Sequence, residues 1–210
     1  MGRRERNKED KQRRLEAAGL AAFLEEGFTG ASVERIAEAA DVARGTFYLY
    51  FRDKEALFTM LLDRLFAPLL ASVARARDAL AACPDTPSTF PVYALLAMEL
   101  AALMIEQEGA LRLYFAEARA VGAGGESVRD RVRDVHALTV TILDDAVARG
   151  VLREHDTRTA AVAIVGGIDA LVYAFLRDRG TAGTWSAGTD PVLVQSEVIA
   201  LFRHGLAPRT

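Results

Sequence analysis

Apolar residues in this chain recur at three- and four-residue intervals, and no run sustains an apolar–polar alternation. That pattern admits helices and argues against a β-sheet core. The spacing of Leu15, Ala18, Ala22 and the Phe23-Leu24 pair predicts a first helix that Gly27 stops. Phe28 and Thr29-Gly30 then make a turn, and Ser32 is placed to cap a short helix from Val33 to Ala40. Asp41-Val42 reads as a tight turn, and a second short helix spans about Arg44 to Phe51. Asp53 is placed to cap a long helix from Glu55 to Ala82, with Pro68 inside it as an expected kink. A Pro84/Pro87 loop follows, and then helices at about 89–107, 110–121, 126–149, 157–179 and 190–206, separated by glycines. The expected fold is all-α with about nine helices. No internal repeat is evident.

With 210 residues, 51% of them apolar and 26% charged, the chain has the makeup of a globular protein with a sizeable core. Its net charge of −3 excludes a histone-like polycation. The charge is uneven, however. Residues 1–14 hold seven basic and three acidic side chains, whereas the rest hold nineteen basic and twenty-six acidic. A basic start on an acidic body marks either an anion-binding end or a solvated helix start. The lone Cys83 excludes an intramolecular disulfide framework and a multi-cysteine metal site, and fits a reducing compartment such as the cytoplasm. The charged start lacks the apolar stretch of a signal peptide. Met1-Gly2 does not begin a myristoylation motif, because Arg6 stands where Ser or Thr is needed. The apolar stretch Ala160 to Leu176 contains Asp169 and falls just short of a membrane span, so a buried helix is expected and no membrane partner.

Residues 32–51 have the layout of a helix-turn-helix with a supporting helix before it. Phe47 and Phe51, four apart, share one face and can join Leu20, Phe28, Val33, Ile36 and Val42 in a miniature core. Gly45 and Leu49 then point outward, flanked by Thr46 and Tyr48, with Arg44 and Tyr50 at the rims. That arc suits DNA. A glycine admits a phosphate closely, Thr46 can donate to phosphate or touch a thymine methyl, and Tyr and Arg can donate to phosphates or base edges. The bland alternative is a small structural helix with a solvated rim.

The stretches Ser32-Val33-Glu34-Arg35-Ile36-Ala37, Asp41 through Phe51, and Asp53-Lys54-Glu55-Ala56-Leu57 resemble the N-terminal domain of the TetR family of transcriptional repressors. The segment Gly150-Val151-Leu152-Arg153 and the helix holding Gly166-Gly167-Ile168-Asp169 resemble that family's eighth helix. The resemblance implies a helix-turn-helix domain over 1–54 and a ligand-binding and dimerisation domain over 55–210. It implies DNA contacts from Ser32, Arg44, Gly45, Thr46, Tyr48, Tyr50 and Lys54, the lysine gripping backbone at the start of the fourth helix. Three positions depart from the pattern: Asp41 for a common Gly, Ala43 for a Ser, and Tyr50 for a His.

The resemblance further implies a homodimer through helices near 157–179 and 190–206, and a repressor that releases a palindromic DNA operator when a small molecule binds. Candidate effector contacts are Phe66, Leu69, Met98, Glu99, Met104, Phe115, His136 and Tyr173, each of which could instead be plain core; Glu99 could face a cationic ligand, pair with an Arg or be exposed. The alternative is a DNA-binding or adaptor protein without a small ligand. An enzyme is disfavoured: His136, His155 and His204 are scattered, no carboxylates form a spaced motif, and Gly122-Ala123-Gly124-Gly125 follows no strand. No cofactor and no metal is expected.

Overall fold

The computed structural model describes residues 2–85 and 87–179. The chain is all-α, with eight α-helices among the described residues: α1 (Arg3–Gly30), α2 (Val33–Ala39), α3 (Arg44–Phe47), α4 (Lys54–Ala81), α5 (Phe90–Glu106), α6 (Glu108–Glu117), α7 (Ala123–Ala148) and α8 (Thr157–Arg179). A single 3₁₀ turn, Pro87–Thr89, leads into α5. The segment expected to form a helix at 190–206 lies outside the described residues. The described residues divide into two compact units: 2–68 with 104–131, and 69–103 with 132–179.

The first unit is organised by aromatic rings. Phe23, Phe28 and Phe58 form a cluster with centroid separations of 5.9, 5.2 and 4.8 Å. Leu15, Ile36, Phe47, Phe51, Leu57 and Leu61 fill in around it, all buried. Leu20, Val33 and Val42, expected in the same core, are half-buried. α1 reaches Leu57 closely because residue 19 is glycine, and α6 reaches Leu20 at Gly109, where a Cβ would sit 2.6 Å from Leu20 Cδ2. Gly27 breaks α1 as its sequence position predicts, with φ 71° and ψ 168°. One further helical turn, Phe28–Gly30, follows the break.

Two helix ends differ from expectation. α6 stops at Glu117 and α7 starts at Ala123, so Gly124 and Gly125 belong to a helix and not to the loop. Of the glycine run only Gly122 lies in the loop, at φ 108°. Gly125 is demanded by crowding, since a Cβ there would collide with the Ala120 carbonyl.

In the second unit Val73, Ala76, Leu80, Leu103, Leu143, Ala146, Ala161 and Leu176 are buried. The Arg149 guanidinium donates to the carbonyls of Leu80 (2.8 Å), Ala81 (2.9 Å) and Cys83 (3.1 Å), satisfying the open end of α4. α4 runs through Pro68 as one helix. Three segments are long and apolar enough to cross a membrane by length and composition: Lys54–Ala81, Pro87–Glu106 and Thr157–Ala174. The sequence alone suggests one such stretch, just short of a span. Beginning the helix at Thr157 supplies the missing length. In α4 the apolar run includes Leu57, Phe58, Leu61, Leu62 and Leu65, which are buried in the first unit.

Candidate nucleic-acid interface

The helix-turn-helix is assembled from local signals. Ser32 Oγ accepts from Arg35 N–H at 3.3 Å and caps α2. At the other end Val42 N–H donates to Ala37 O (3.0 Å) and Asp41 N–H to Glu38 O (3.0 Å). This closure requires a left-handed residue after the helix. Asp41 takes that role at φ 53°, the position where glycine is common. Its carboxylate meets Arg14 Nη1 at 3.3 Å, which ties the turn to α1.

α3 is shorter than its pattern predicts. It spans Arg44–Phe47, and the chain then tightens: Leu49 N–H donates to Thr46 O (3.1 Å) and Tyr50 N–H to Phe47 O (2.9 Å). Three-residue bonds take over at these two positions, and Phe51 N–H then returns to Phe47 O at 3.0 Å as the chain turns toward α4. Ala43 supplies no side-chain cap, as expected of an alanine there. The two-sided geometry is nevertheless present. Phe47 and Phe51 are buried, with ring centroids 5.6 Å apart. On the opposite side Gly45 faces open space, Tyr48 is 45% exposed and Leu49 is 80% exposed. Thr46 and Tyr50 are half-buried at the edges of this patch.

Arg44 is exposed but not idle. Its Nη1 lies 2.9 Å from Glu34 Oε1, and its Nη2 donates to Tyr48 Oη at 3.4 Å. The bond to Tyr48, and then the Glu34 carboxylate, hold the guanidinium pKa above its ordinary value. The sequence gives no sign of the Glu34 partner, although a helix-turn-helix brings the start of α2 close to α3.

Lys54 sits differently from a phosphate-gripping lysine. Its Nζ donates to Phe28 O (2.8 Å), Ala31 O (2.9 Å) and Thr29 O (3.2 Å), and lies 4.8 Å from the centre of the Phe28 ring. An ammonium has three protons, and all three are engaged at the α1–α2 corner. The same corner is held from α6. Glu117, 5% exposed, accepts the Phe28 N–H at 2.7 Å. Arg64 pairs with the buried Glu16, and Arg131 with Asp63 at 2.7 Å. No local pattern announces pairs so distant in sequence. Asp53 does cap α4 as expected, accepting Ala56 N–H at 2.7 Å.

The candidate effector contacts are divided between the units. Phe66 and Phe115, in the first, both meet Tyr114, at 5.6 and 4.7 Å between centroids, and Met104 is half-buried nearby in sequence. In the second unit Leu69 and His136 are half-buried, while Met98 and Tyr173 are exposed. Glu99 pairs with Arg75 at 2.7 Å. Its carboxyl is held below the usual range by hydrogen bonding to Ser72 and then to Arg75. Among the described residues no group of His, Cys, Asp and Glu is arranged to hold a metal ion.

Residues 15–61 match the family model of bacterial regulatory proteins, tetR family. Over these residues the chain carries a helix-turn-helix region similar to the DNA-binding domain of that family. Over 58 residues the chain is 40% identical to the HTH-type transcriptional repressor NemR of Escherichia coli, covering 28% of this chain and 29% of NemR. Over 138 residues it is 29% identical to the transcriptional regulator RutR of the same organism, covering 59% of this chain and 65% of RutR. The aligned part thus spans under two thirds of either relative. The whole fold is shared more widely. NalD of Pseudomonas aeruginosa, the secondary repressor of the MexAB-OprM multidrug efflux pump, superposes with a TM-score of 0.70 at 23% identity. That match covers 98% of this chain and 100% of NalD.

Proposed function

We propose that this chain is a DNA-binding transcriptional regulator, a repressor that leaves a palindromic operator when a small molecule binds its C-terminal domain. The observation that carries the reading is the two-sided α3 segment. Phe47 and Phe51 are buried beneath it, while Gly45, Tyr48 and Leu49 stand exposed with Arg44, Thr46 and Tyr50 around them. A helix presented this way fits the major groove. Gly45 leaves room for close contact. Thr46, Tyr48 and Tyr50 offer hydroxyls, and Ser32 offers its proton to phosphate while its oxygen caps α2. Arg44 reaches DNA by exchanging Glu34 for a base edge or phosphate. Lys54 acts from behind, by holding the corner on which α2 rests.

Residues 1–54 serve as the reading domain and 55–210 as the effector and dimerisation domain. The dimer pairs the helix near 157–179 with its mate, together with the 190–206 segment expected from the sequence, which lies outside the described residues. In the first of these Val162 and Ile168 are exposed, leaving apolar surface for a second copy. Two copies then set their α3 segments in successive major grooves, about 34–36 Å apart. An effector lowers operator affinity tenfold if it prefers the non-binding state by about 1.4 kcal/mol, and operator DNA weakens the effector by the same factor. Phe66, Leu69, Met98, Glu99, Met104, Phe115, His136 and Tyr173 are the residues to vary when an effector is sought. The protein acts in the cytoplasm, where its operator is.

Selecting bound duplexes from a random pool with the purified chain tests the reading. Enrichment of a palindrome with half-sites one helical turn apart is expected. Failure to enrich any duplex at low ionic strength overturns it.

A further inference from the structure

The Glu34–Arg44 pair is open to solvent at both ends, the carboxylate 55% and the guanidinium 62% exposed. An ion pair so placed adds little to folding. The start of α2 is also stable without it, because Ser32 caps that end and any acid in a first turn is favoured by the helix dipole. The direction of the side chain is what stands out. Arg35, its neighbour, turns back to Glu26 of α1 at 2.7 Å, whereas Glu34 turns to α3 and meets Arg44 at 2.9 Å. The same guanidinium donates to Tyr48 Oη. A carboxylate is thus placed at the edge of the exposed α3 patch, where the incoming ligand is a polyanion. Once Arg44 leaves for DNA, the Glu34 oxygens lose their cation and face phosphates. Few groups in the major groove can take its place. Guanine presents the acceptors N7 and O6, and thymine the acceptor O4, all of which repel a carboxylate. Adenine sets the acceptor N7 beside its N6 amine, whereas cytosine presents the N4 amine, a donor, with no acceptor of its own beside it.

We infer that Glu34 is a specificity-determining residue, its carboxylate accepting from the N4 amine of a cytosine in each half-site while Arg44 moves to a base edge or a phosphate. Where cytosine stands at that position, the exchange leaves neither charge without a partner. On any other base the carboxylate is stranded, and Arg44 is held back by the partner it must abandon. Selection therefore comes as much from rejecting wrong sequences as from holding the right one. In the free protein the two side chains neutralise each other, which keeps Arg44 from settling on phosphates of arbitrary sequence.

This inference rests on the proposed function, and its test keeps the two apart. Bound duplexes are selected from a random pool with the wild-type chain, Glu34→Ala, Glu34→Gln and Arg44→Ala, with far-UV circular dichroism confirming the helix content of each. The wild type is expected to enrich a cytosine at one position of each half-site. Replacing that cytosine should lower wild-type affinity about 5- to 150-fold, and Glu34→Ala affinity less than about twofold. Glu34→Gln keeps the shape of the side chain and should move the preference to adenine, whose N6 and N7 suit an amide. Arg44→Ala should bind more weakly and keep the cytosine. A wild-type motif without a cytosine preference overturns the inference, as does an unchanged preference at every position in both Glu34 variants. Loss only of positions that Arg44→Ala also loses overturns it too, because Glu34 would then act solely through Arg44. Each of these results leaves the regulator reading intact. Enrichment of no duplex by the wild type overturns both.

Discussion

The Lys54 ammonium is both a donor to the Phe28 carbonyl, at 2.8 Å, and a cation 4.8 Å from the centre of the Phe28 ring. One side chain at the start of α4 therefore fixes the residue that follows the break in α1. Replacing it with methionine keeps the aliphatic stem and strands three carbonyls. Lys54→Met should lower stability by about 1–3 kcal/mol, read from urea unfolding. Operator affinity should fall while its salt slope stays that of the wild type. A slope reduced by about 0.9 would mean that the ammonium had been on a phosphate.

Glu117 holds the same corner through the Phe28 N–H. Glu117→Leu should cost about 1–3 kcal/mol, because it leaves a buried donor without an acceptor. Glu117→Gln, whose amide oxygen can still accept, should cost less. Thermal melts of the two variants side by side check the order.

Asp41 adopts φ 53° to close α2. Asp41→Asn keeps a residue tolerant of that conformation and should melt within a few degrees of the wild type. Asp41→Val places a β-branched side chain there and should destabilise by about 1–2 kcal/mol or more. Equal melting of the two would show that the left-handed turn carries no strain.

The Glu99 carboxyl is held below its usual range by Ser72 and Arg75. A depressed folded-state pKa gives stability that is present above the unfolded value, about 4.3, and is lost as pH falls through the folded value. The difference in melting temperature between the wild type and Glu99→Gln should be constant near pH 6–7. It should shrink as the pH is lowered past 4. A difference independent of pH down to 3 would remove the ionic part of the pair.

Much of the fold is legible in the sequence because its determinants are local. Ser32 and Asp53 cap the helices they precede, Gly27 ends the first run, and the four-residue spacing of Phe47 and Phe51 sets which side of α3 is buried. Where a local signal has two meanings, the reading slips. The run of glycines at 122–125 looks like a loop, yet only Gly122 lies in one, and Gly125 is there to clear a carbonyl. The aromatic run after Thr46 looks like continuing helix, yet the bonding tightens at Leu49 and Tyr50. Long-range electrostatics are the least legible part. Lys54 matches a motif that implies phosphate, and only the placement of Phe28, Thr29 and Ala31 shows where its protons go. Glu117 and Phe28 are 89 positions apart, with nothing in either neighbourhood to link them.

Nothing lies within 4 Å of where a Cβ on Gly45 would stand. The monomer by itself would therefore accept alanine there, and would gain roughly 1 kcal/mol of helical preference by doing so. Its melting curve and its grip on nucleic acid are thus separable at one atom. A methyl group at this spot would make a sturdier molecule while standing in the way of whatever must press against its surface.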